Sequence, residues 1–259
     1  MNADSYKELL LQQTGNVLRI SLNRPASLNA IGKTMHSELA RVFTEAAADD
    51  SVDILVLTGE GTAFSAGGDI EWMRETATDV AAFEAGTVEA RMIVRSLVDI
   101  EKPVICRMNG DAVGLGATIA LFCDVIIAAD HARIGDPHVR VGLVAGDGGA
   151  VIWPLLVGYA RAKEYLMTGD TIAAPEAARM GLINYAHPAA ELDQHVDKLV
   201  RRLAGGAARA IGWTKASVNI GLKDAVEKIL DASLRYEIRS SALPPHKQAV
   251  EAFLARSRK

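Results

Sequence analysis

The chain has 259 residues, of which 49% are hydrophobic and 23% charged, and its net charge is −4. These figures fit a globular protein with one large domain, or a domain plus a small helical appendage. They leave no basic footprint for nucleic acid or an anionic membrane surface, and the longest charge-free apolar stretches, 112–123 and 148–160, fall short of the roughly 20 residues that cross a bilayer.

The opening "MNADSYKELL" has no apolar signal core. "NVLRISLNRP" (16–25) predicts a strand that ends at Pro25. "KTMHSELARVFTEAAADD" (33–50) spaces Met35, Leu39, Val42, Phe43 and Ala46 as one helix face. Then come a buried strand (52–59), a long helix (79–100) and two more buried strands (103–110 and 123–130). This is α/β order, in which sites gather at strand ends. After about residue 148 the pattern turns helical, near 160–168, 175–181, 190–204, 207–221, 223–241 and 245–256, with "LPPH" (243–246) parting the last two. The division expected is a core over 1–200 and a helical region over 201–259. Cys106 and Cys123 have no metal or redox spacing and read as small buried hydrophobes in a reducing cytoplasm.

Two stretches share one design. In "DILVLTGEGTAFSAGGDI" (53–70) and "VICRMNGDAVGLGATIALF" (104–122) a buried strand runs into a turn of small residues and then a helix. Small residues let a ligand approach the main chain, and a helix start offers unpaired N–H groups. One N–H from each turn could grip one oxygen as an oxyanion hole. Equally, these are ordinary strand-to-helix turns.

"LNRPASLNA" (22–30), "AFSAGGDI" (63–70) and "NGDAVGLGATIALFCDVIIAA" (109–129), with "GLVAGDGGAVIWPLLVG" (142–158) and the helical tail, resemble the crotonase superfamily of enoyl-CoA hydratases and isomerases. The resemblance covers essentially the whole chain. It implies an α/β spiral of ββα repeats with a C-terminal helical trimerisation region, assembled as a homotrimer or as a hexamer of two trimers. It implies an acyl-CoA thioester substrate, with coenzyme A present only as part of that substrate. Matched by motif, the oxyanion donors are Ala66 and Leu115. Arg24, Ala26 and Leu28 fall where the family contacts the nucleotide end of CoA. Ser65, Gly68, Asp69, Ile70, Gly114 and Thr118 fall along the substrate channel. Asp69 reads equally as a cap of the following helix.

The departures bear on the chemistry. The family's two hydratase glutamates correspond to Thr118 and His138, so both acids are missing. A threonine hydroxyl stays protonated near neutral pH and cannot serve as a carboxylate base. Histidine can exchange a proton there, best when a carboxylate fixes its tautomer. Asp147 in "GDGG" is the candidate, either as partner of His138 or as a helix cap. The His138/Asp147 spacing is similar to that of the C–C hydrolase branch typified by 6-oxocamphor hydrolase, though a further histidine of that enzyme falls on Leu115. Three functions therefore stand open: an enoyl-CoA hydratase or isomerase, a C–C hydrolase of β-dicarbonyl compounds, and an acyl-CoA-binding protein with weak catalysis. Trp72 reads as a wall of the acyl pocket or a packing residue, and Tyr236 and Phe253 as packing or a reach toward a neighbouring subunit. Asp136 and Arg140 read as solvated loop residues or a subunit contact. His36, His131, His187, His195 and His246 read as structural or solvated, and no cluster has metal-ligand spacing.

Overall fold

A computed structural model describes residues 1–257. The chain opens with β1 (Leu9–Thr14) and β2 (Val17–Leu22), an antiparallel hairpin. β1 was not foreseen, because its pattern is mostly exposed and only Leu9 is buried. Helix α1 (Lys33–Ala48) then crosses to β3 (Ile54–Gly59), which lies parallel to β2. Its foreseen face is the buried one, with Met35, Leu39, Val42, Phe43 and Ala46 all inside. Every residue of β3 is buried, as its continuous apolar run requires.

Helices α2 (Ile70–Thr76) and α3 (Val80–Asp99) lead to β4 (Val104–Met108), parallel to β3. The short β5 (Ala112–Val113) and helix α4 (Leu115–Leu121) follow, then β6 (Val125–Ala129), parallel to β4. β7 (Arg133–Gly135) runs into a 3-10 turn, His138–Val141, and then α5 (Gly149–Thr168). Gly158 leaves helical geometry inside α5, so the two helical segments foreseen there meet at a kink. β8 (Ile172–Ala173), α6 (Ala174–Arg179) and β9 (Tyr185–His187) complete the sheets. Their orders are β1-β2-β3-β4-β6-β9 and β5-β7-β8.

The tail holds α7 (Leu192–Ala204), α8 (Ala208–Ser241) and α9 (Pro244–Ser257). The two helices expected over 207–221 and 223–241 are one, α8. A helical glycine costs only about 1 kcal/mol relative to alanine, and Gly221 does not stop the helix. α8 packs on α3 and α5, and α9 on α2 and the His138 turn. No described helix is long and apolar enough to cross a membrane. Both cysteines are free and buried.

Candidate active site

The carboxyl ends of β3 and β4 feed the two small-residue turns, and the turns are laced together. The Ser65 N–H donates to the Asp111 carbonyl at 2.9 Å, and the Val113 N–H donates to the Ser65 carbonyl at 2.9 Å. The contact is so close that a Cβ on Gly116 would sit 2.6 Å from the Ser65 Cβ. Gly114, at φ 55° and ψ −126°, makes the turn into α4 in a conformation that L side chains rarely adopt. Its own N–H is taken by the Gly135 carbonyl at 2.9 Å.

The free main-chain N–H groups differ from the motif assignment at one position. The Ala66 N–H is already committed to the Leu28 carbonyl at 2.9 Å, and Ala66 is exposed. It cannot also grip a substrate oxygen in this conformation. Two residues on, the Gly68 N–H has no hydrogen-bond partner among the described residues, because the neighbouring bonds with Ile31 use the Gly67 carbonyl and the Asp69 N–H. Leu115 is the first residue of α4, so its N–H has no intrahelical acceptor. Gly68 and Leu115 line one cavity together with His138 and Asp147.

The remaining motif residues lie around this cavity rather than on it. Ser65 is fully buried, and its hydroxyl donates to the Asn29 carbonyl at 2.9 Å and accepts from the Gly67 N–H at 3.2 Å. It holds the turn and does not face the channel. Thr118 is also fully buried, and its hydroxyl donates to Asp147 Oδ1 at 3.2 Å. Its place is behind Asp147, not against the substrate. Asp69 caps α2, accepting from the N–H groups of Glu71 and Trp72 at 3.0 and 3.3 Å, and takes the Arg24 guanidinium at 2.9 Å. Ile70 starts α2, half-buried, while Ala26 and Leu28 are exposed at the rim.

His138 is buried in its 3-10 turn between two carboxylates. Asp136 bonds Nδ1, and Asp147 Oδ2 lies 3.5 Å from Nε2. Asp136 is therefore not a solvated loop residue. Proline between them turns the chain so that the carboxylate folds back under the ring, and Asp136 is only 1% exposed. Arg140 is exposed and pairs with Asp170. Asp147 makes no capping bond, since Gly148 is the N-cap of α5. Its carboxylate points to His138 and Thr118 instead.

A third acid was not foreseen. Glu237, on α8, is buried, lines the cavity and leaves Oε2 without a hydrogen bond. It is one acid on a long, mostly polar helix, and no local pattern marks it. α8 also ties down the catalytic loop. Ser233 donates to the Gly146 carbonyl at 2.8 Å, and the Ser240 hydroxyl accepts from the Val144 N–H at 3.1 Å. From α9, His246 Nδ1–H donates to the Val141 carbonyl at 2.7 Å. His36, set aside from sequence as structural or solvated, lines the cavity beside Trp72.

These groups set one another's charge. Burial works against protonation of His138, but Asp136 and Asp147, with Glu237 behind them, outweigh it and hold its pKa well above the usual imidazole value. Burial pushes Asp147 up, against the pull of His138. Burial and the nearby Asp147 raise Glu237 well above the carboxylate range. The two carboxylates thus favour the protonated form of His138. Asp136, His138 and Asp147 are also the one group of potential metal ligands among the described residues. Both ring nitrogens already face a carboxylate, so an ion would have to displace one of them.

Residues 12–258 match the signature of the enoyl-CoA hydratase/isomerase family. The chain belongs to that family. Among relatives, a crotonyl-CoA hydratase of Syntrophomonas wolfei is 33% identical over 253 residues, covering 96% of each chain. An enoyl-CoA hydratase/isomerase structure from Mycobacterium paratuberculosis superposes with a TM-score of 0.89 at 36% identity, over 95% of this chain and 98% of that one. A β-diketone hydrolase from the cyanobacterium Anabaena, bound to (S)-3-oxocyclohexyl acetic acid, superposes with a TM-score of 0.86 at 26% identity, over 92% of this chain and 96% of that one. Membership in the enoyl-CoA hydratase/isomerase family makes this an enzyme fold of the crotonase superfamily.

Proposed function

We propose that this protein acts on an acyl-CoA thioester through an enolate, as an enzyme of hydratase or isomerase type. The Gly68 and Leu115 N–H groups hold the thioester oxygen, and His138 moves protons where the family has glutamate. The observation that carries this reading is that two uncommitted main-chain donors and the His138 imidazole face one cavity. Such donors, aimed where negative charge develops, supply a large part of enolate stabilisation. The 3.5 Å gap between His138 Nε2 and Asp147 leaves that nitrogen able to turn to a substrate. Asp136 fixes the ring and its tautomer. CoA enters as part of the substrate, with its nucleotide end along exposed Ala26 and Leu28, while Arg24 and Asp69 brace the loop.

The same pair supports a second reading, hydrolysis of a C–C bond in a β-dicarbonyl compound. The His138–Asp147 proximity and the likeness to the Anabaena β-diketone hydrolase favour it. Mass spectrometry of products from a mixed panel of enoyl-CoA, 3-hydroxyacyl-CoA and β-diketone substrates separates the two. Conversion of CoA esters with inert diketones supports the first. Carboxylates formed from a diketone without CoA, and lost in both His138→Ala and Asp147→Asn, refute it. CoA-ester binding with no turnover anywhere in the panel leaves a binding protein. The trimer or hexamer is part of the same proposal, supported by large exposed apolar residues on α5 and α8, among them Tyr159, Met167, Val218 and Ile220.

A further inference from the structure

A second imidazole faces the cavity. His36 is 3% exposed, and its Nδ1 lies 2.8 Å from Glu89 Oε2 on α3. The other oxygen, Oε1, accepts from the Ser37 hydroxyl at 2.6 Å. The bond from His36, followed by the opposing effect of burial and the help of Ser37, holds Glu89 below the usual carboxylate range. An ionised carboxylate has no proton to share, so Nδ1 carries the hydrogen of that bond and Nε2 is the ring's open position. The ring rests on Trp72, with centroids 5.1 Å apart and planes tilted by 52°. Among the described residues no protein group bonds Nε2, and that nitrogen is not one of the sealed-off polar atoms. Glu89 stands behind the ring, and Asp147 lines the same cavity. The design matches His138, an imidazole with a carboxylate on Nδ1, but here Nε2 meets no acid.

We propose that His36, oriented by Glu89, is the base that takes a proton from the carbon next to the carbonyl held by Gly68 and Leu115. The inference rests on the enolate reading above. The C–H bond breaks, its proton goes to Nε2, the bonding pair becomes the carbon–carbon π bond, and the carbonyl π pair moves onto oxygen. That oxygen becomes the enolate oxygen between the two N–H groups, and the new imidazolium faces Glu89. His138 returns a proton to complete the reaction. The substrate class this selects is a thioester with an acidic hydrogen beside the carbonyl.

The test is exchange of those hydrogens in heavy water, with butyryl-CoA as probe because it has no double bond to hydrate or shift. The full-length protein is expected to wash deuterium into the carbon beside the thioester, read by mass spectrometry. His36→Gln should slow exchange by roughly 100-fold or more, with butyryl-CoA affinity by calorimetry within about threefold. Glu89→Gln keeps the shape but no longer fixes the hydrogen on Nδ1, so exchange should slow while butyryl-CoA affinity stays within about threefold. Exchange that survives His36→Gln overturns the proposal. So does wild-type binding of butyryl-CoA without exchange, which leaves the acyl-CoA reading standing. Failure of the wild type to bind butyryl-CoA refutes both. If His36→Gln melts early, Glu89→Gln decides, and exchange at the wild-type rate overturns the proposal.

Discussion

Replacing Gly116 by alanine should disable the enzyme while leaving it folded. The added Cβ would stand 2.6 Å from the Ser65 Cβ and 2.8 Å from the Ser65 hydroxyl oxygen. Ordinary carbon contacts are about 3.5–4.0 Å, so the two turns must part by about 1 Å. Ser65 cannot swing away, because its hydroxyl is pinned to the Asn29 carbonyl at 2.9 Å. Overpacking of this kind costs about 1–3 kcal/mol, a fall in Tm of about 2–12 °C for a chain of this size. The loss in rate should be larger. The Gly68 and Leu115 donors sit on opposite sides of the seam, and a 1 Å misplacement of a reacting geometry costs on the order of 100-fold. The assay is kcat/KM on whichever panel substrate the wild type turns over, beside thermal melting. Gly221→Ala is the control. A Cβ there meets nothing within 4 Å, and Gly221 lies inside α8, so that variant should gain about 0.5–1 kcal/mol with unchanged activity. If Gly116→Ala keeps its activity within about threefold, the two turns are not a rigid seam and the donor assignment loses its basis.

Leu115→Pro removes the N–H at a first helical position, where proline fits, and should lower kcat by about 100- to 1,000-fold; stopped assays against wild type check this. Thr118→Val removes the donor to Asp147 while keeping the volume, and its cost of about 1–3 kcal/mol should appear in urea midpoints and as a shifted pH–rate profile. His138 has a raised folded-state pKa, so the stability it contributes is full below the ordinary imidazole value and is lost as pH rises through the folded value. The urea-midpoint gap between wild type and His138→Gln should therefore be widest near pH 6 and shrink on going alkaline; a gap that widens would reverse the charge assignment. Sedimentation equilibrium should give a trimer or a multiple of it, and a monomer at micromolar concentration would remove the assembly proposal.

At the first turn the motif assignment, Ala66, and the proposed donor, Gly68, differ by two residues. In "SAGG" four small residues follow one another, and composition cannot say which N–H is free. The left-handed turn at Leu28 decides, by turning its carbonyl onto the Ala66 N–H. Asp136 looked solvated because loop acids are usually exposed, yet a two-residue turn folds it under His138. Glu237 and His36 reach the cavity from α8 and α1, helices whose periodicity says which face is buried but not what that face meets. The long, evenly spaced elements were legible for the opposite reason. Their apolar period alone fixes the buried side, as in α1 and β3. Short edge strands such as β1 and β9 have too few inward residues to announce themselves.

The loop that bears Asp147 is fastened by Ser233, Ser240 and His246, and Glu237 completes its cavity. A ribosome makes those four residues well after the loop they secure. Between Asp147 and Glu237 lie about 90 residues, or about 5–20 s of synthesis at typical speeds. Throughout that interval β2, β3, β4 and β6 have already been made, but the histidine turn has no roof. A growing chain therefore holds both small-residue turns before the histidine turn is fastened, and the cavity is complete only when the tail docks.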